Sequence, residues 1–99
     1  MTKREPTEDE RFLFECVLTL KNADECRDFF NDLCTALEIK EMSRRLKAAR
    51  MLGENKSYAE VAAATKLSTA TISRVNRCLK SSFDGYARVL SRTKGKETE

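Results

Sequence analysis

The stretch Ser57 to Lys80, SYAEVAAATKLSTATISRVNRCLK, constrains the fold of this chain more than any other. Its pattern predicts two short helices joined by a tight turn. Ser57-Tyr58-Ala59-Glu60 fits a capping box, in which the serine hydroxyl accepts from a backbone N–H three residues on and the glutamate reaches back. Val61 and the run Ala62-Ala63-Ala64 make a slender helix that another helix can approach closely. The pattern breaks at Thr65-Lys66-Leu67, and Ser68 can cap a second helix. Ile72, Val75 and Leu79 give that second helix a single apolar stripe. Its opposite face shows Thr69, Ala70, Ser73 and Arg74. Small polar groups and a cation at the N-terminal end of an outward-facing helix suit a DNA major groove.

The charge distribution points the same way. The net charge of +3 hides a strong asymmetry. Residues 1–42 hold 6 Lys/Arg against 11 Asp/Glu, whereas residues 43–82 hold 9 against 2. The basic block coincides with the two-helix stretch and the helix leading into it, which is the footprint of a polyanion site. Solvated helix faces are the plain alternative, and charge alone does not separate the two.

The rest of the chain reads as helix. Ninety-nine residues make one domain, and a single Pro with three Gly disfavours an all-β design with many turns. Met1 to Thr7 reads as a disordered arm around Pro6, residues 8–92 as the domain, and 93–99 as a frayed tail. From Glu8 to Leu20, the residues Phe12, Leu13, Phe14, Cys16, Val17, Leu18 and Leu20 spread around most of a helix. A helix apolar nearly all round is buried on several sides, and so small a chain has little with which to surround it. This favours wrapping by a second subunit over a wholly intrachain central helix. Asn22 can cap a second helix with Glu25 following, and Cys26, Phe29, Phe30 and Leu33 form its apolar side. Thr35-Ala36-Leu37-Glu38 is another capping box, opening a third helix in which Ile39, Met42, Leu46 and Ala49 form a buried stripe. That helix should stop between Gly53 and Asn55, residues that tolerate the left-handed conformation. Ser81 to Gly85 reads as a turn, and Tyr86, Val89 and Leu90 suit a short final helix. The expectation is six helices and no strand.

Several function classes lose support. The chain has no His, the usual general base, and no glycine-rich phosphate loop, so an enzyme is not expected. Cys16, Cys26, Cys34 and Cys78 form no C-x-x-C pair. They read as reduced core or near-core thiols of a cytoplasmic protein, and no metal is expected. No apolar run approaches the length of a membrane span.

FFNDLCTALEIKEMSRRL (29–46), SYAEVAAAT (57–65), STATISRVNRCL (68–79) and DGYARVL (84–90) together resemble the Trp repressor superfamily, in particular its TrpR-related YerC/YecD-type branch of bacterial regulators. The resemblance runs from about Phe12 to Leu90, and STATISR is its most distinctive run. It implies an all-α, six-helix fold with a helix-turn-helix, assembled as an intertwined homodimer. It also implies that the helix after Ser68 is a recognition helix, with Thr69, Ala70 and Ser73 toward base edges and Tyr58 and Ala59 near the DNA backbone. Hydroxyls at 69 and 73 can donate or accept at several bases, so water-mediated and shape readout must add discrimination, as in the Trp repressor–operator complex. Lys56, Lys66, Arg77 and Lys80 are candidates for phosphate contacts, with Arg74 alongside them. The family commonly has Gly where this chain has Lys66, so a positive φ there would carry strain.

The resemblance extends to a ligand. In tryptophan-binding members an indole lies between two arginines, matched here by Arg45 and Arg74, with a pocket threonine matched by Thr35. Two positions depart: Val75 replaces a Gly that leaves room for the ligand, and Cys78 replaces a pocket Ser. These departures favour another small corepressor, or none, over tryptophan, and no other cofactor is expected. The partners implied are a second copy of the chain and a roughly palindromic double-stranded DNA operator, with no membrane. The alternatives are an amino-acid sensor of the same fold and a protein-interaction module that has lost DNA binding.

Overall fold

The computed structural model describes residues 4–81 and 83–94, and they form six α-helices with no strand among them. These are α1 (Glu8–Val17), α2 (Ala23–Leu33), α3 (Ala36–Gly53), α4 (Tyr58–Thr65), α5 (Thr69–Ser81) and α6 (Gly85–Thr93). Two compact units divide the chain, Met1–Ile39 and Lys40–Glu99.

In the N-terminal unit local chemistry sets every helix start. Thr7 caps α1 through a complete capping box: Glu10 N–H donates to Thr7 Oγ1 at 3.1 Å, and Thr7 N–H to Glu10 Oε1 at 2.8 Å. Both guanidinium nitrogens of Arg4 grip the same glutamate at 3.2 Å. Of the segments expected to be an arm and a tail, residues 1–3 and 95–99 lie outside the described residues, while Thr7 is a cap and Thr93 the last residue of α6. The first helix ends at Val17, short of the expected Leu20, because Thr19 turns its hydroxyl onto Cys16 O at 2.7 Å. Asn22 caps α2 by accepting from Glu25 N–H at 2.9 Å, and Glu25 reaches one residue further back, to Lys21 N–H at 3.0 Å. The Thr35–Glu38 box at the start of α3 closes with bonds of 2.8 and 3.1 Å.

This unit buries almost nothing. Neither α1 nor α2 contains a buried residue, and Phe12, Phe14, Leu18, Leu33 and Leu37 are each more than half exposed. The helix that reads as apolar all round is therefore covered only in part, with Leu13, Cys16 and Val17 half-buried and Phe12 and Phe14 open.

The C-terminal unit has a closed core. Ala48, Ala49, Val61, Leu67, Ile72 and Val75 are buried, with Met51, Leu52, Ala62, Leu79, Tyr86 and Leu90 packed against them. Only the far end of the expected α3 stripe joins that core: Ala49 is fully covered, but Met42 and Leu46 are exposed and Ile39 half-buried. The third helix ends in a left-handed residue, Asn55 at φ 66°, and Lys56 N–H bonds back to Met51 O at 3.1 Å. This six-to-one closure is a Schellman arrangement, which satisfies carbonyls that the helix end leaves free. Asn55 makes the turn, and Gly53 stays in the helix.

Two expectations need correction. The turn expected from Ser81 to Gly85 is narrower, because α5 includes Ser81 and α6 begins at Gly85 after a left-handed Asp84. Among the cysteines, Cys16, Cys34 and Cys78 are half-buried, but Cys26 is exposed within the chain. Phe29 and Phe30 on the same helix are half-buried while Cys26 is not, so apolar company in the sequence does not make it a core residue.

Candidate nucleic-acid interface

The second unit presents α4, a three-residue turn and α5. Ser57 starts α4 with the expected capping box: Glu60 N–H donates to Ser57 Oγ at 3.1 Å and Ser57 N–H to Glu60 Oε1 at 3.4 Å. Lys66 ends it at φ 62° and ψ 20°, with its N–H on Ala62 O at 2.9 Å. A Cβ in this left-handed region costs about 1 kcal/mol or more relative to Gly. The position is strained in the way the lysine-for-glycine departure predicts.

Two neighbours hold that turn. Thr65 is buried, and its hydroxyl donates to Val61 O at 2.8 Å while accepting from Leu67 N–H at 3.3 Å. Leu67, which reads in the sequence as part of a break, is a core residue at 8% exposure. The turn is thus pinned from inside by an apolar side chain and a satisfied hydroxyl. Ser68 then caps α5, accepting from Thr71 N–H at 3.2 Å and donating to Thr71 Oγ1 at 3.0 Å.

Along α5 the two faces separate as the spacing predicts. Ile72 and Val75 are buried at 0% and 2% exposure, and Leu79 packs against the core. Thr69, Ala70, Ser73 and Arg74 are exposed. Among the described residues, the side chains of Thr69, Ser73 and Arg74 engage no other side chain, which leaves their donors and acceptors open. The exposed cations Lys56, Lys66 and Lys80 have no carboxylate partner among the described residues. Arg77 has an interaction of its own and is less open than its exposure implies.

Tyr58, the first residue of α4, is 38% exposed. Its hydroxyl accepts a hydrogen bond from Asn76 Nδ2 at 3.0 Å, which ties α4 to α5 across 18 residues. The sequence carries no signal for this bond. Asn76 is one polar residue among several on α5, and no local period links it to Tyr58.

The residues carried over for a ligand sit differently. Thr35 lies in the N-terminal unit, where its hydroxyl accepts from Glu38 N–H at 3.1 Å as an ordinary cap. Arg45 is exposed on α3, and Val75 is closed into the core. Cys78 lines an open apolar cavity of about 450 Å³ with Leu46, Phe83, Gly85, Tyr86 and Val89, a wall that contains neither Arg45 nor Arg74.

Comparison with known proteins places these features in one family. Residues 8–94 match the family model for the Trp repressor protein. The uncharacterised protein YerC of Bacillus subtilis (strain 168) is 49% identical over 87 residues, covering 88% of this chain and 84% of YerC. A TrpR-like protein from Eubacterium eligens superposes with a TM-score of 0.85 at 48% identity, covering 89% of this chain and 91% of that one. A Trp repressor candidate from Staphylococcus aureus gives the same TM-score, 0.85, at 42% identity over 90% of this chain and 89% of its own. With its six helices, its helix-turn-helix and these matches, the chain belongs to the Trp repressor family.

Proposed function

We propose that the chain is a sequence-specific DNA-binding transcriptional regulator that acts as a homodimer and represses by occupying an operator. The observation that carries this reading is the division of α5. One side is locked into the core by Ile72 and Val75, and the other presents Thr69, Ala70, Ser73 and Arg74 to solvent with their polar groups open. In this role Thr69 and Ser73 bond to base edges and Ala70 meets a thymine methyl. Lys56, Lys66, Arg74 and the Tyr58 hydroxyl contact phosphate and fix the register. Ser68 acts mainly through its cap. The uncovered apolar residues of α1 and α2 support a dimer whose second subunit supplies the missing cover. Two recognition helices related by a two-fold axis would enter successive major grooves about 34 Å apart, on a roughly palindromic site. Residues 8–92 make up the regulator domain, and the protein works in the cytoplasm. No helix among the described residues is long and apolar enough to cross a membrane.

Fluorescence anisotropy with a random duplex at low salt, followed by selection from a randomised pool, tests this directly. Binding that falls steeply with salt and enriches a two-fold symmetric sequence is expected. A folded dimer that binds no duplex even at low salt would instead be a protein-interaction module.

A tryptophan requirement is the weaker version of this reading. Val75 is 2% exposed, so its isopropyl group already fills the position where the family's Gly leaves space. Calorimetry should show no heat with micromolar tryptophan. Saturable heat would assign Arg45, Arg74 and Thr35 to a corepressor site in the assembled dimer.

A further inference from the structure

From the Tyr58–Asn76 hydrogen bond we infer that Asn76 is a positioning residue. It holds the Tyr58 hydroxyl so that its proton is donated outward to a DNA phosphate, and it fixes the rotation of α5 about its own axis. The inference rests on the DNA-binding reading and adds to it a residue that touches no DNA.

The argument starts from the phenol. A tyrosine hydroxyl has one proton and accepts at its oxygen. The C–O bond has partial double-bond character, so the proton prefers the ring plane, on one side of the oxygen or the other. Asn76 Nδ2 donates to that oxygen at 3.0 Å, which occupies one side with an incoming N–H. The hydroxyl proton takes the other. Accepting a bond also polarises the O–H and strengthens it as a donor. Tyr58 is 38% exposed, and Lys56, exposed and without a carboxylate partner, stands two residues before it. An acceptor-only anion drawn to that lysine meets a hydroxyl already turned outward.

The second part follows from helix spacing. Thr69, Ser73 and Asn76 stand at i, i+4 and i+7, so they share one stripe of α5. The bond therefore fastens the stripe that carries two open hydroxyls to the first residue of α4. The apolar stripe fixes which side of α5 faces the core but leaves small rotations soft. A directional bond across 18 residues removes that freedom. An error in rotation would displace both hydroxyls from their bases together.

The test uses the full-length protein, the duplex selected from the random pool and anisotropy as the readout. Tyr58→Phe removes the hydroxyl, and Asn76→Leu keeps the volume but removes the donor. Each should weaken binding roughly ten- to hundredfold, the range for a hydrogen bond to a charged group. The double variant should lose no more than either single one, because both remove one coupled unit. A set of duplexes, each with one phosphate replaced by a neutral methylphosphonate, gives a readout that loosened packing would not move. One position per half-site should weaken the wild type and make no difference to either variant. Asn76→Leu should also narrow the gap between selected and random duplex. Asn76→Asp, which would accept the tyrosine proton, should bind no better than Tyr58→Phe. Wild-type affinity in Asn76→Leu or Asn76→Asp, multiplying losses in the double variant, or a methylphosphonate effect that persists in Asn76→Leu would each overturn the inference. Circular dichroism checks folding, and Asn76→Ser, too short to reach Tyr58, replaces Asn76→Leu if that variant melts. A wild-type protein that binds no duplex would remove the DNA-binding reading and this inference together, an outcome distinct from all the others.

Discussion

The two units reach stability by opposite routes. Residues 1–39 have well-capped helices and hardly any interior, whereas residues 40–99 close a core around Ile72 and Val61. The acidic excess lies in the first region and the basic excess in the helix-turn-helix block. Caps alone cannot stabilise helices this short, because a helix of fewer than about 12 residues is marginal in water. The first unit must therefore draw stability from outside its own residues, whereas the second holds α4 and α5 on a core of its own.

Four substitutions and one titration can break or sharpen this contrast, in order of falling effect. Phe12→Ala should cost about 3 to 5 kcal/mol if a partner subunit covers that ring, which is the price of a deeply buried aromatic. Its denaturation midpoint should then depend on protein concentration. A midpoint equal to the wild type at every concentration would mean the ring is uncovered in solution. Ile72→Ala, in the closed core, should cost about 2 to 5 kcal/mol in urea unfolding, with a loss that is the same at all concentrations. Lys66→Gly should relieve the left-handed turn and raise stability by about 1 kcal/mol. It should also weaken DNA binding and lower the salt slope by about one contact. An unchanged slope would remove Lys66 from the phosphate set. Ser57→Ala should cost about 1 kcal/mol through its lost cap. Because α4 belongs to the self-sufficient unit, that loss should be concentration-independent.

The smallest effect is a pH response confined to the first unit. The Glu10 carboxyl is held below its ordinary value of 4.5 by the Arg4 guanidinium and then by the Thr7 backbone N–H. Glu38 is lowered by the Thr35 backbone N–H and then by its hydroxyl. A lowered carboxylate stabilises the fold above its unfolded value, and the contribution disappears as pH falls through the folded value. Hydrogen exchange should therefore show the starts of α1 and α3 opening below about pH 4.5 before α4 and α5 respond. Simultaneous opening of all four would mean the two units titrate as one.

Much of the fold was legible because its signals are local. A cap and its partner lie three residues apart, so the boxes at Ser57 and Thr35 could be read directly, and so could the stop at Asn55; the strain at Lys66 came instead from the family resemblance. The α5 stripe was legible because Ile72 and Val75 repeat with the helix. Burial of α3 was not: its apolar residues keep the same rhythm whether their own chain or another covers them, and Met42 and Leu46 are left open here. Leu67 was missed because a buried residue in a turn has no period. Asn76 was missed because a bond spanning 18 residues leaves no trace in any short window. The exposed face of α5 was legible as a set, whereas the bond from Asn76 to Tyr58 was not.

Ala48 and Ala49 have a consequence at a larger scale. Both are completely covered, neither has a side chain beyond Cβ, and both pack in the core with Val61, Ile72 and Val75. An added methylene at either site would cost roughly 1 to 3 kcal/mol by overpacking. It would also push α4 and α5 away from α3. In the homodimer proposed above, that displacement would act on both copies and alter the span between their α5 helices. On the DNA-binding reading proposed above, bulk at residues 48 and 49 would thus set a ruler, measured in base pairs between operator half-sites, from positions outside α5.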